Sequence, residues 1–187
     1  MSMSAERIVL GIDPGTAVTG YGIVNASKNQ PVLTACGIID LRKITAANEK
    51  LKQIFKQTIH LIDEYKISEF AIEAPFFGKN VQSMLKLGKS QGVAIAAALS
   101  RDLEVYEYSP RKIKMAVTGN GNASKEQVAA FLEQIFKQKI SELTMDATDG
   151  LAVALCQSYR KSGAMQNNIK AGSWKAFINQ NPKRIIK

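Results

Sequence analysis

Four carboxylates stand where acid side chains can act together. Asp13 ends an apolar stretch beginning at Arg7. Glu73 lies near the end of the run Phe70–Ala74, just before Pro75, and Asp146 and Asp149 are three apart at the start of an Ala- and Leu-rich segment. On a helix that spacing puts both acids on one face about a turn apart, a poor arrangement for stability alone. A cluster of all four would repel itself and raise some of its pKa values unless cations neutralised it. Mg²⁺ suits such a set, because it takes oxygen ligands and keeps several waters. Two ions about 4 Å apart would activate a water and stabilise the leaving oxygen of a phosphodiester. Each acid also has an ordinary role open to it. Asp13 begins an Asp-Pro-Gly turn, Asp146 could cap a helix, Asp149 suits the dipole of a first turn, and Glu73 could be an edge acid. Only the set favours metal-dependent nuclease chemistry.

Positioning these residues requires a sheet with a helix over one of its ends. Arg7–Asp13 reads as a buried strand stopped by Pro14-Gly15, Gly20–Asn25 as a second, and Val32–Leu41 as a third after the Asn29-Gln30-Pro31 break. Three strands before any helix imply an antiparallel meander. From Asn48 to Tyr65 apolar residues recur at helical spacing, followed by the strand Phe70–Ala74, a helical pattern from Val81 to Leu99, a strand at Val105–Tyr108, and helices at Ser124–Lys137 and Asp146–Arg160. The expected order is βββαβαβαα. It predicts an α/β fold with a five-stranded mixed sheet, three strands antiparallel and the later ones parallel, flanked by helices.

The chain has 187 residues and a formal charge of +9, which fits one domain and favours a polyanionic partner. Lys170, Lys175, Lys183, Arg184 and Lys187 carry five of those charges within 166–187, a stretch with no acid, leaving +4 for residues 1–165. We therefore expect a nuclease domain over 1–165 and a flexible basic arm over 166–187, the latter containing Trp174. The longest apolar run, Val93–Leu99, is too short to span a membrane, and no secretory signal is evident, so a cytoplasmic location is expected. Cys36 and Cys156 read as buried free thiols, and His60 as a structural residue of the first helix.

Several residues read as DNA contacts. Phe76 and Phe77 follow Glu73 between Pro75 and Gly78, where exposed aromatics could wedge between bases or simply pack beneath a helix. Arg111, Lys112 and Lys114 cluster after the fifth strand. Lys125 opens a helix behind Gly119-Asn120-Gly121, where free N–H groups and a lysine favour phosphate, although Ser124 and Gln127 also have capping-box spacing. Gly88 and Gly92, four apart, would admit a close helix either within the subunit or across a dimer.

The motifs Ile12-Asp13-Pro14-Gly15, Thr19-Gly20-Tyr21-Gly22, Ala71-Ile72-Glu73, Lys79-Asn80, Leu85-Lys86-Leu87-Gly88, Gly92-Val93-Ala94 and Asp146-Ala147-Thr148-Asp149-Gly150-Leu151-Ala152 occur in that order. In this the chain resembles the RuvC-type Holliday junction resolvases of the ribonuclease H-like superfamily, over about residues 7–165. The resemblance implies a homodimer that nicks opposite strands of four-way junction DNA symmetrically. It further implies two Mg²⁺-dependent active sites and a partnership with the RuvA–RuvB branch-migration complex; two ions per site are expected from the acid set, with Mn²⁺ as a substitute. Its catalytic and metal-binding acids fall on Asp13, Glu73, Asp146 and Asp149, its junction wedge on Phe76, and its basic residues near the scissile phosphate on Lys114 and Lys125; Phe77, Lys79 and Arg111 are further candidate DNA contacts. Other readings are a smaller nuclease of ribosomal RNA precursors, an actin-like ATPase, which would need a second lobe, and a non-catalytic DNA-binding module.

Overall fold

The structure, a computed structural model, describes residues 6–27, 30–75, 80–140 and 144–160. Five strands, β1 (Ile8–Asp13), β2 (Val18–Asn25), β3 (Val32–Asp40), β4 (Glu69–Glu73) and β5 (Val105–Tyr108), form one sheet in the order β3-β2-β1-β4-β5. The first three are antiparallel, with Asp13 opposite Gly20 and Val18 opposite Asp40, whereas β4 runs parallel to β1 and β5 parallel to β4. The carboxyl ends of β1, β3, β4 and β5 thus share one end of the sheet.

Period-two alternation divides the core between the two faces. Ile8, Leu10 and Ile12 of β1 with Phe70 and Ile72 of β4 pack beside Ile54, Leu61, Ala94 and Ala98. Those helical residues belong to α1 (Ala47–Tyr65) and α2 (Val81–Leu99). Val9, Val24 and Ala71 face the other way, into a second core with α3 (Pro110–Thr118), α4 (Lys125–Phe136) and α5 (Met145–Ser158). Elements expected from sequence lie within two residues of these bounds, with one omission. The order is βββαβαβααα, because the cluster Arg111, Lys112 and Lys114 sits on a helix, α3, to which the sequence reading assigned no element. Ser109 caps this helix, Pro110 begins it, Ile113 and Val117 bury its inner face, and Gly119 ends it with φ of 74°.

At Gly11, Gly20, Gly22 and Gly150, helix α5 and the sheet approach so closely that no side chain fits between them. A Cβ at Gly20 would stand 1.8 Å from the Asp146 carbonyl oxygen, and one at Gly11 would stand 2.2 Å from the Ala154 nitrogen. Gly150 meets the Tyr21 backbone in the same way, at 2.5 Å. Only glycine permits this approach. The far end of α5 is tied down by Arg7, whose guanidinium holds Glu69 (Nε–Oε1 2.6 Å) and donates to the carbonyls of Gln157, Ser158 and Arg160. Gln157, itself buried, donates to Glu69 at 2.6 Å and accepts from the Tyr108 hydroxyl. Among the described residues no helix is long and apolar enough to cross a membrane.

Candidate active site

The same alternation that buries Leu10 and Ile12 on one face turns Asp13 to the other, toward α5. In β4 it turns Glu73 the same way. Because Ile12 pairs with Ile72 in parallel register, the next position along each strand sets Asp13 beside Glu73. Asp149 comes down from the first turns of α5, held at that height by the glycine contacts. Asp13, Glu73 and Asp149 line one cavity of about 210 Å³ together with Lys114 of α3 and Lys125 of α4, and Pro110, Ile113, Val128 and Ala152 make its apolar walls. A larger cavity, about 370 Å³, lies beside β5 between Tyr106, Tyr108, Lys112, Cys156 and Arg160. It contains none of the four acids, so chemistry rather than size identifies the site.

Burial, and then the charges of Glu73 and Asp149, push the Asp13 pKa up to about 8; Asp146 adds to the rise and Lys125 opposes it. Glu73 is raised to about 7 by burial and by Asp149, again with Lys125, and with Lys114, pulling it down. Burial works against the charge of Lys125. Its hydrogen bond to Asp149 and the charges of Asp149, Asp13 and Asp146 outweigh that, and its pKa stands above the ordinary lysine value. The Lys125 ammonium pairs with Asp149 Oδ2. Asp146 lies outside the cavity on the first turn of α5, where Thr144 and not Asp146 caps the helix. Its field reaches the cavity from that position.

An all-oxygen, self-repelling and partly desolvated donor set fits a hard divalent cation. Among the described residues no three acid, His or Cys side chains are drawn together as a finished ligand sphere, since Asp149 is held by Lys125 and Asp146 stands apart. The residues present therefore fit the metal by chemistry, with Lys125 supplying positive charge at the cavity.

The remaining candidates separate. Lys114 and Lys125 line the cavity. Arg111 is exposed and lies over Gly121, 2.7 Å from where a Cβ would stand, and Lys112 lies 4.7 Å from the centre of the Tyr108 ring. Lys125 follows Ser124, which with Gln127 forms a complete capping box, so that helix start has its structural role as well. Phe76, Phe77, Lys79, Trp174 and the stretch 166–187 lie outside the described residues. His60 pairs with Glu64 on α1 at 2.9 Å, away from the acids. Cys156 is buried; Cys36 is only half-buried, because β3 is an edge strand. Gly88 and Gly92 have nothing within 4 Å of an added Cβ, which removes the reading of a close helix within the subunit among the described residues. Reasoning from acids and lysines missed Thr19, whose hydroxyl accepts from the Gly15 amide at 3.2 Å and steadies the turn after Asp13. It also missed Arg42, on which the charge of Asp146 acts.

The sequence model of the family described as crossover junction endodeoxyribonuclease RuvC matches residues 9–157. The chain is 51% identical over 184 residues to the crossover junction endodeoxyribonuclease RuvC of Porphyromonas gingivalis, covering 96% of this chain and 97% of that one. It is 52% identical over 182 residues to that of Bacteroides fragilis, covering 96% of each. The structure of T. thermophilus RuvC in complex with Holliday junction substrate is similar with a TM-score of 0.74 at 26% identity, covering 84% of this chain and 96% of that one. With the expected five-stranded mixed sheet already in place, these matches mean that the chain belongs to the RuvC family of crossover junction endodeoxyribonucleases, within the ribonuclease H-like superfamily.

Proposed function

We propose that this chain resolves Holliday junctions, nicking opposite strands of a four-way DNA junction symmetrically by phosphodiester hydrolysis, with Asp13, Glu73, Asp146 and Asp149 as the metal-holding acids. The observation that carries this reading is the cavity itself. Two strand-end carboxylates and one from α5 face the same space, with the pKa values of Asp13 and Glu73 raised by burial and by neighbouring acid charge and two lysines lining the cavity. Mg²⁺, two ions per site with Mn²⁺ as substitute, would supply Lewis-acid charge there and make water a competent nucleophile at neutral pH. Asp13 is the centre of the set, since Glu73, Asp149 and Asp146 all act on it. Lys114 and Lys125 offer ammonium donors to a phosphate entering the cavity, and the apolar walls keep bulk water from screening these charges. In this reading Phe76, which the family resemblance favours as a wedge, and Phe77, Lys79 and Arg111 are further DNA contacts, and the chain works in the cytoplasm with the RuvA–RuvB branch-migration complex. Residues 1–165 act as the nuclease domain, and the basic stretch 166–187 adds affinity for DNA.

Symmetric cutting requires two sites, and α2 presents the face for a homodimer. Val81 (65% exposed), Leu85 (59%) and Leu99 (56%) fall in one stripe with the open Gly88 and Gly92. A second copy packed there buries apolar surface that is costly to leave in water.

The test is incubation of the purified chain with a labelled four-way junction and a linear duplex, with and without Mg²⁺. Paired nicks confined to the junction and dependent on the ion are expected, with Asp13→Asn losing nicking but binding the junction near normally. Nicking by Asp13→Asn would sink the assignment of Asp13. Binding with no cleavage by the intact chain would favour a non-catalytic junction-binding module.

A further inference from the structure

Lys114 and Lys125 place positive charge on the α3 and α4 side of the cavity. A second group of cations stands on the opposite side, at the β3 edge. β3 ends at Asp40 opposite Val18, and the Leu41 amide donates to the Ala17 carbonyl at 2.9 Å, so the chain leaving β3 runs along the turn that leaves Asp13. Arg42 is exposed there, with its guanidinium oriented by Asp40 through Nε–Oδ1 at 2.9 Å and Nη2–Oδ2 at 2.7 Å. Lys43 is exposed beside it. Lys50, from the first turn of α1, donates to the Thr16 carbonyl at 3.1 Å, which brings a third cation to the same turn. Asp40 is already paired, Glu49 is taken by Lys52 at 3.3 Å, and neither Lys43 nor Lys50 forms an ion pair among the described residues. The group therefore has positive charge in excess of its acids. The Asp146 carbonyl lies against Gly20 of β2, the strand between the β3 edge and β1, so the first turn of α5 sits over the path from the β3 side to Asp13.

We propose that Arg42, Lys43 and Lys50 form a DNA-backbone contact on the β3 side of the cleft, so that the strand being cut crosses the carboxylates with its phosphates neutralised on both sides. The inference rests on the nuclease reading above. From β3 to β5 is four inter-strand spacings of about 4.8 Å, roughly 19 Å, which corresponds to about five or six nucleotide steps of 3.4 Å. A strand lying along the end of the sheet reaches both groups at once. The competing account is that Arg42 merely offsets Asp146 and the lysines are solvated.

Salt dependence separates the two accounts, because each phosphate neutralised adds about 0.9 to the slope of log affinity against log salt. Binding of the full chain to a fluorescent four-way junction and to a linear duplex is measured by anisotropy in EDTA across a range of KCl, for wild type, R42A/K43A/K50A and the charge-keeping R42K/K43R/K50R, with thermal melts of each. The neutralised variant is expected to lose about 2–3 from the slope and roughly tenfold or more in affinity at the lower salt, with the charge-keeping variant near wild type. An unchanged slope, even with an altered melt, overturns the contact. Equal binding of junction and duplex by wild type fails the junction reading while the slope on duplex still judges the patch. If wild type binds neither DNA, both fall.

Discussion

Lys125 and Asp149 form an ion pair between α4 and α5, at the mouth of the carboxylate cavity. The lysine side chain is 56% exposed and the aspartate 17%, so a solvent-exposed ammonium sits against a carboxylate that is largely withdrawn from water. It acts there as a monovalent counter-charge to Asp13 and Glu73 as well.

Lys125→Met should therefore lower stability in EDTA by under about 1 kcal/mol, a small effect because the lysine is exposed. The same change removes a competing cation and should raise Mg²⁺ affinity roughly three- to tenfold. Both quantities come from melting curves over a Mg²⁺ titration; a weaker ion-dependent shift than wild type would refute the competition.

Asp13 should make metal-free stability fall with pH. Its pKa is raised from 3.8 to about 8 in the folded chain, so between those values the folded state holds more protons than the unfolded one. The favourable contribution is complete below pH 4 and is lost as pH rises through about 8. Asp13→Asn should then be more stable than wild type at pH 8 in EDTA by about 1–3 kcal/mol, the gain shrinking toward pH 4. Urea unfolding at several pH values measures this. Saturating Mg²⁺ should stabilise wild type more than the variant.

Glycine substitutions should divide by location. Gly20→Ala places a methyl 1.8 Å from the Asp146 carbonyl oxygen, and should cost about 3 kcal/mol and most of the nicking, since α5 must lift. Gly88→Ala and Gly92→Ala meet nothing within the subunit and should each gain up to about 1 kcal/mol of helix stability in the monomer. Sedimentation velocity should show those two weakening self-association. A dimer unaffected by both would exclude this stripe as the contact.

Arg7→Met should destabilise the chain by about 2–3 kcal/mol, because it leaves the Glu69 carboxylate and the last carbonyls of α5 without their donor. Guanidinium chloride unfolding reads the loss, and a change under about 0.5 kcal/mol would show that water replaces the guanidinium readily.

Much of this was legible from residue order. Apolar runs marked all five strands, Pro14 and Pro75 marked where two of them stop, and the spacing of Asp146 and Asp149 placed them on one helix. The helix α3 was hidden behind its own charges: Arg111, Lys112 and Lys114 read as a basic cluster with no element assigned, although Ser109-Pro110, Ile113, Val117 and Gly119 carry the capping and spacing signals. Other features arise only from tertiary register. Arg42 is more than a hundred residues from Asp146 and meets its field because β3 ends opposite Val18. The withdrawal of Asp149 into a pair with Lys125 depends on how α4 lies against α5. No local pattern encodes either.

The seat of α5 on Gly11 and Gly20 has a mechanical consequence. In most helix–sheet packings the gap is filled by side chains, and its width follows their volumes. At these glycines backbone meets backbone, so there the height of α5 over the sheet is set by bond lengths and van der Waals radii rather than by side-chain volumes. Repacking either core, by substitution or by heating, changes what surrounds the carboxylates while leaving their separation across the helix–sheet contact nearly constant. The acids from α5 and those from the strands thus share a common datum at these glycines.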